Sequence, residues 1–236
     1  MEFPPPVASV PAAFTEVLVA DFASRPGRRF SLALSGGPTA QACYEHLATM
    51  TAPGGSAAEA IDWSLVDVYM GDERMVPPDD PDANQRLVRE ALLEPVGPVG
   101  SFTPMPTTAG TVTECMRSYQ ATIAAVLAGP GLDLIHLGVG PDGHTASLFP
   151  GSATLDAGPD ELVAATEDPN GRNPHPRLTL TLPAINAARC AVFTVSGASK
   201  VEAIAAARRG DDIPALRVHA ERIIWLVDAA AAGQDP

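Results

Sequence analysis

Positive charge is scarce in this chain. Among its 236 residues there are 15 Lys and Arg against 28 Asp and Glu, which gives a formal net charge of −13. Proteins bind nucleic acids and anionic membranes through clusters of Lys and Arg, so this balance argues against either as a partner. An acidic protein that binds an anionic metabolite must concentrate its few cations in one place, so the position of each cation is informative.

Membrane spans, secretion signals and paired cysteines are also missing. No run reaches the ~18 apolar residues of a membrane-spanning helix. The N-terminal stretch M-E-F-P-P-P lacks the basic and apolar regions of a secretory signal. Cys43, Cys115 and Cys190 are odd in number and far apart, which argues against a disulfide framework and a thiolate metal site. We therefore expect buried, reduced thiols in a cytoplasmic protein.

Apolar runs typical of buried strands alternate with helical patterns along the chain. Strands are predicted at 29–34, 66–70, 132–137, 189–195 and 222–227. Helices are predicted at 39–50, 84–93, 111–127 and 200–208. The alternation predicts an α/β fold in which a mostly parallel, Rossmann-like sheet is covered by helices on both faces. The length fits a single domain over 1–236.

The segments between these elements are predicted loops. Stretches rich in Pro and Gly lie at 52–56, 95–110 and 150–159. The acidic segment 77–84 follows a predicted strand, and two interpretations stay open for it, a lid over a site or a solvated linker. Within the helix at 39–50 the expected core contacts are Ala42, Leu47 and Met50.

The run L-G-V-G-P-D-G-H-T-A-S-L-F-P-G at 137–151 carries the clearest chemical pattern. It follows a predicted strand, and its glycines allow a sharp turn that brings Asp142 and His144 close together. Open α/β sheets bind ligands at the carboxyl ends of their strands. The pattern therefore predicts a general base, His144, oriented by Asp142; the alternative is a solvated loop histidine. His136 lies inside an apolar strand and is expected to be a hydrogen-bonded core residue.

Five segments in the same order resemble the 6-phosphogluconolactonase family, which shares a superfamily with the glucosamine-6-phosphate isomerases. Besides the D-G-H run, they are L-A-L-S-G-G-P-T at 32–39, V-Y-M-G-D-E-R-M-V-P at 68–77, P-R-L-T-L-T-L-P at 176–183 and V-S-G-A-S-K at 195–200. Asn84 matches as well, and the resemblance runs from about 30 to 227. It implies hydrolysis of 6-phosphoglucono-δ-lactone in the oxidative pentose phosphate pathway, with a sugar-phosphate lactone as ligand and no obligate protein partner.

The S-G-G-P-T turn joins a predicted strand to a predicted helix. Glycines let the backbone approach an anion, and a helix N-terminus offers unpaired N–H groups. By itself the turn could be an ordinary connection, but in the family the matching segment contacts the substrate phosphate. The resemblance thus makes Ser35, Gly36, Gly37 and Thr39 candidate substrate-binding residues.

Cations and carboxylates at the ends of other elements complete the predicted site. Arg177 and Lys200 could converge on a phosphate. Arg74 could stabilise an oxyanion, and Asp72 or Glu73 could orient a partner. The alternatives are a surface ion pair for 72–74 and solvated side chains for the two other cations. The spacing of Asp72, Asp142 and His144 is not a recognised metal-ligand pattern, so neither a metal nor another cofactor is expected.

The isomerase and lactonase branches differ at two positions for which this chain has matching residues. The isomerase branch carries a catalytic Glu in an F-N-E-P context, where this chain has Phe149. It also carries D-E-Y, where this chain has D-E-R ending at Arg74. Both differences favour the lactonase branch, a hydrolase acting on a cyclic ester. An isomerase or deaminase of sugar phosphates and a non-catalytic sugar-phosphate-binding module are the alternatives.

Overall fold

Six parallel strands form the central sheet of the protein. A computed structural model describes residues 4–25, 28–171 and 173–234. The strands are β1 (Phe30–Leu34), β2 (Val66–Met70), β4 (Ser101–Thr103), β5 (Leu134–Gly138), β8 (Cys190–Val195) and β9 (Arg222–Val227). Their order is β4-β2-β1-β5-β8-β9, and every neighbouring pair is parallel. All residues of β1 and β8 are buried, as expected for strands covered on both faces.

Helices α1 (Val10–Ala23), α2 (Pro38–Thr51), α5 (Val112–Ala128) and α7 (Val201–Arg209) are the longest of the fold. A shorter helical segment consists of α3 (Asn84–Val88), a π-helical turn (Arg89–Leu93) and α4 (Glu94–Val96), and α6 covers Leu182–Asn186. Helix α5 begins at a capping box in which Thr111 and Glu114 satisfy each other's backbone N–H groups. Within the described ranges no helix is long and apolar enough to cross a membrane.

A second, antiparallel sheet lies at the carboxyl end of the central one. It consists of β3 (Asp72–Arg74), β6 (Val163–Thr166) and β7 (Arg177–Leu180), in the order β3-β7-β6. Gly71 joins the two sheets, because its N–H donates to Leu34 O (2.7 Å) while its carbonyl accepts from Leu180 N (2.8 Å). The chain therefore crosses between sheets directly before Asp72.

The predicted α/β class and parallel sheet are confirmed, and several details are corrected. The strands at 66–70 and 222–227 have the predicted bounds, whereas the strand predicted from 132 begins at Leu134. Of the expected core contacts in α2, Leu47 is buried, but Ala42 is exposed and Met50 only partly buried. The predicted loops 95–110 and 150–159 contain β4 and a 3₁₀ turn at Ala153–Asp156. Helix α1 and the small sheet were not predicted.

His136 is the centre of a buried polar network, as expected of a core histidine. Its Nδ1 lies 2.8 Å from the Tyr44 hydroxyl, and its Nε2 lies 2.8 Å from Thr194 Oγ1. The Tyr44 hydroxyl donates to Ser35 O (2.9 Å), so it accepts from His136 Nδ1–H and leaves Nε2 to accept from Thr194. This network ties α2, β1, β5 and β8 together beneath the turn that begins at Ser35.

We predict that His136 makes the protein less stable in mild acid. Burial lowers the pKa of His136 to about 3, whereas an unfolded histidine titrates near ~6.5. Between these values the unfolded chain binds the extra proton. The stability contribution is thus complete above ~6.5 and falls by up to about 1.4 kcal/mol per pH unit below it. Urea denaturation of wild type and His136→Asn at several pH values from 5 to 8 measures the difference, and identical pH dependence in both would contradict the prediction.

Candidate active site

Nine of the ten residues predicted for the site line one cleft at the carboxyl end of the central sheet. Its volume of about 400 Å³ is within the ~300–1,000 Å³ usual for small-molecule sites. The nine lining residues are Ser35, Gly36, Gly37, Thr39, Asp72, Arg74, His144, Arg177 and Lys200. Asp142 does not line the cleft but contacts His144. The structure thus brings together residues that are up to 165 positions apart, from Ser35 to Lys200.

Asp142 and His144 form a close pair on the turn after β5. Their Oδ1 and Nδ1 atoms are 2.5 Å apart, so Nε2 is the imidazole nitrogen left for the cleft. Burial opposes ionisation of Asp142, but the hydrogen bond and charge of His144 outweigh it and hold the pKa of Asp142 well below its usual range. The turn admits only glycine at position 140, where a Cβ would lie 2.1 Å from His144 Nδ1.

Phe149 packs under the His144 imidazole. The ring centroids are 4.8 Å apart, and the Arg177 guanidinium lies 5.6 Å from the centroid of the same Phe149 ring. Phe149 is almost completely buried. Phe149 is therefore an apolar support shared by an imidazole and a guanidinium.

The small sheet carries four polar side chains on one face. Strand register pairs Arg74 with Arg177 and Asp72 with Thr179, and side chains two apart on a strand share a face. Asp72 Oδ2 accepts from Ser147 Oγ (2.6 Å), and Arg177 Nη1 donates to the same hydroxyl (3.3 Å). Burial lowers the pKa of the Arg177 guanidinium, while Asp72 opposes this shift and Arg74 adds to it. The charge of Asp72 thus partly offsets the repulsion of Arg177 by Arg74.

Glu73 points away from the cleft chemistry and supports the backbone. Its Oε1 accepts from Arg74 N (2.8 Å) and Asn84 N (2.7 Å), and its Oε2 accepts from Gln85 N (2.7 Å). Burial raises the pKa of Glu73 to about 7, although the three N–H groups favour the ionised form. Glu73 therefore holds together the backbone on either side of the acidic segment. Of the two carboxylates considered, Asp72 is the one that lines the cleft.

Ser35 takes part in the cleft wall through its backbone. Its hydroxyl donates to His136 O (2.7 Å) and its N–H to the Tyr44 hydroxyl (3.0 Å). The proton of the Ser35 hydroxyl is thus already used in a hydrogen bond inside the protein. Gly36, Gly37 and Thr39 follow at the start of α2, where backbone N–H groups are unpaired.

Asp228, which follows β9, holds the loop that leads to Lys200. It accepts from Ser196 Oγ (2.5 Å), from Gly197 N (3.1 Å) and from Ala231 N (2.7 Å). Burial opposes ionisation of Asp228, but these donors lower its pKa. The sequence analysis missed this residue; its signal is a carboxylate at the end of a predicted strand.

The polar segment before β7 connects both sides of the cleft. Asn170 Nδ2 donates to Asp142 Oδ2 (2.9 Å), and Asn173 Nδ2 donates to Asp82 Oδ2 (3.2 Å) in the acidic segment. Asp168 and Asn173 also line the cleft. These residues were not predicted, although clustered Asn, Asp, Gly and Pro residues mark 167–174 as a loop. Whether the acidic segment 77–84 acts as a lid stays a prediction.

A metal site was not found in the described residues, where no group of three or more His, Cys, Asp or Glu side chains is arranged to hold an ion. The donors in the cleft are instead guanidinium, ammonium, imidazole and backbone N–H groups. Such groups bind anions. The arrangement can therefore hold an anionic ligand and remove a proton from water beside it.

The protein is similar to known sugar-phosphate enzymes. A family model described as glucosamine-6-phosphate isomerases/6-phosphogluconolactonase matches residues 7–225. A curated 6-phosphogluconolactonase from Synechocystis sp. is 41% identical over 212 residues, covering 85% of this chain and 82% of the relative. The solved 6-phosphogluconolactonase from Trypanosoma brucei is 26% identical with a TM-score of 0.80, covering 98% and 99% of the two chains. A solved monomeric glucosamine-6-phosphate deaminase, 19% identical with a TM-score of 0.78, shares the fold.

We predict that Gly36→Ala destabilises the protein while Gly138→Ala does not. A Cβ at position 36 would lie 1.8 Å from Asn84 Oδ1, whereas a Cβ at position 138 meets nothing within 4 Å. Forcing Asn84 to move should cost about 1–3 kcal/mol of unfolding free energy, the usual effect of overpacking. Urea denaturation of both variants measures this difference. Equal unfolding free energies would show that Asn84 can move without cost.

Proposed function

The chain belongs to the glucosamine-6-phosphate isomerase/6-phosphogluconolactonase family, and we propose that it hydrolyses 6-phosphoglucono-δ-lactone to 6-phosphogluconate. This reaction opens the lactone of the oxidative pentose phosphate pathway. The observation that carries the proposal is the 2.5 Å Asp142–His144 pair at a cleft lined by Arg74, Arg177 and Lys200. Hydrolysis of an anionic ester needs a general base, an oxyanion donor and cations for the phosphate.

The reaction begins at the His144 imidazole. Asp142 holds Nδ1, so Nε2 accepts a proton from water as the water oxygen attacks C1 of the lactone. The carbonyl oxygen becomes negative, and the Arg74 guanidinium stabilises that charge. The bond from C1 to the ring oxygen then breaks, and His144 returns the proton to the ring oxygen. This sequence requires no covalent enzyme intermediate.

Cations far apart in the sequence bind the phosphate in this proposal. Lys200 follows the loop held by Asp228, and Arg177 is held by Ser147 and Phe149. Backbone N–H groups after Ser35 add neutral donors at the start of α2. Because the Arg177 guanidinium is held before the ligand arrives, little of its side-chain entropy is lost when the phosphate binds.

The isomerase alternative needs an additional acid–base group. Phe149 cannot move a proton, and its ring is covered by His144 and Arg177. Amino-sugar isomerisation and ammonia release would therefore lack a participant. The free, buried Cys43, Cys115 and Cys190 support a cytoplasmic location for the lactonase.

We predict that the purified protein opens 6-phosphoglucono-δ-lactone, releases no ammonia from glucosamine 6-phosphate and works poorly on gluconolactone. A site built for a charged group rejects analogues that lack it, because the contacts between that group and the cations of the site are lost. Acid and ammonia release are followed separately at equal substrate concentrations, with spontaneous lactone opening subtracted. Lys200→Ala and Arg177→Ala should raise KM for the phosphorylated lactone only.

Each other outcome has a defined meaning for this proposal. Ammonia release without lactone hydrolysis would assign the protein to the isomerase branch. Equal hydrolysis of both lactones would keep the hydrolase and remove the phosphate site. Ligand binding without turnover of any of these compounds would favour a non-catalytic module.

We predict that His144→Ala lowers kcat by roughly 10²–10⁴-fold, the usual cost of losing a general base. The matched control is His219→Ala, because the His219 side chain is exposed and does not line the cleft. Circular dichroism must show that both variants fold as the wild type does. A folded His144→Ala protein with normal turnover would refute this mechanism.

A further inference from the structure

Asn84 is a buried polar residue of the cleft to which the mechanism above gives no role. It is the first residue of α3, only 1% of its surface is exposed, and it lines the cleft beside Arg74. Its backbone N–H is held by Glu73. A buried amide is costly unless both of its ends are hydrogen-bonded, so its partners are informative.

Both ends of the Asn84 side chain are engaged by residues of β3. Its Oδ1 accepts from Arg74 Nη1 (2.6 Å), and its Nδ2 donates to Asp72 O (3.0 Å) and to Asp72 Oδ1 (3.3 Å). The opposite orientation of the amide would set N–H against N–H at the guanidinium and oxygen against oxygen at Asp72. The hydrogen bonds therefore define one orientation.

The Gly36 backbone confines the same amide from another side. A Cβ at position 36 would overlap Asn84 Oδ1 at 1.8 Å. The Asn84 side chain thus fits between the turn after β1 and the Arg74 guanidinium. It therefore connects the Gly-rich turn to the proposed oxyanion donor.

The hydrogen bonds of Arg74 occupy only one of the two terminal nitrogens of its guanidinium. Nη1 donates to Asn84 Oδ1 and to Asp82 O (2.7 Å), while the buried Nε has no hydrogen-bond partner among the described residues. Nη2, the other terminal nitrogen, makes no hydrogen bond with the described residues and remains a charged donor for an anionic oxygen. The neutral amide of Asn84 holds the guanidinium without cancelling its charge, whereas a carboxylate at position 84 would cancel it.

We propose that Asn84 is a positioning residue that aims Nη2 of Arg74 at the oxyanion formed at C1 of the lactone. This inference rests on the proposed lactonase function. Asn84 acts through Arg74, so its loss matters only while Arg74 is present. The contribution belongs to the transition state, and kcat therefore depends on Asn84 more than KM does.

The test is a double-mutant cycle on lactone hydrolysis with Asn84→Ala, Arg74→Ala and the double variant. Arg74→Ala should lower kcat by roughly 10²–10³-fold, as loss of an oxyanion donor does. Asn84→Ala should lower kcat by roughly 10–10²-fold through misplacement of the guanidinium, with little change in KM. In the Arg74→Ala background, loss of Asn84 should cost almost nothing further.

Chemical rescue provides a readout that a purely structural role would not affect. Guanidinium ion, added far below the concentrations that unfold proteins, should restore part of the activity of Arg74→Ala, because the amide still offers a binding partner. It should restore much less activity in the double variant. Asn186→Ala is the matched control, since Asn186 Oδ1 accepts from His219 N away from the cleft and its loss should leave kcat unchanged. Asn84→Ser repeats the cycle if the alanine variant folds poorly.

The outcomes separate this inference from the function on which it rests. Independent, multiplicative effects of the two substitutions, or equal rescue with and without Asn84, would overturn the positioning role while the wild type remains a lactonase. A wild-type protein that does not hydrolyse the lactone would overturn both. Coupled effects on kcat together with rescue that depends on Asn84 would support the proposal.

Discussion

The site depends on how the backbone leaves the central sheet at Gly71. The N–H of Gly71 completes the parallel ladder at Leu34, and its carbonyl starts the antiparallel ladder at Leu180. One residue thus orients Asp72 and Arg74 relative to the strand ends that carry Ser35 and His144. Without this crossing, the carboxylate and guanidinium would continue along β2 instead of turning toward the cleft.

Cations are concentrated in the cleft although the molecule as a whole is acidic. A protein with a formal charge of −13 repels anions at long range, yet its cleft holds Arg74, Arg177 and Lys200. Buried carboxylates balance these cations without filling the cleft, because Asp72 is engaged by Ser147 and Asn84. The cations of the cleft therefore act at short range, on a ligand that is already close.

Sequence patterns predicted the elements that are continuous in the chain. Strand β2 is a short apolar run with polar residues at its carboxyl end, so its bounds were correct. Helix α1 was missed although Ser9 caps it and Pro11 lies in its first turn, two ordinary signals of a helix start. The three-residue strand β3 pairs with a strand about a hundred residues later, a contact that no local pattern encodes.

The difference between locally encoded features and long-range contacts is also seen in the active site. The residues predicted for the cleft lie in short motifs at strand ends, and the structure brings them together. The side chains that hold them were not predicted as such: Asp228 behind the Lys200 loop, Asn170 behind Asp142, and Asn84 beside Arg74. Each acts through a hydrogen bond between distant segments, and such bonds are set by packing.

The contact between Gly36 and Asn84 also couples two distant parts of the chain. The two positions share one small volume, which a methyl group at 36 would already overfill. A larger residue at 36 would displace the amide that holds the Arg74 guanidinium, and a smaller residue at 84 would make room but release the same guanidinium. A change at either position therefore reaches Arg74 through the same amide.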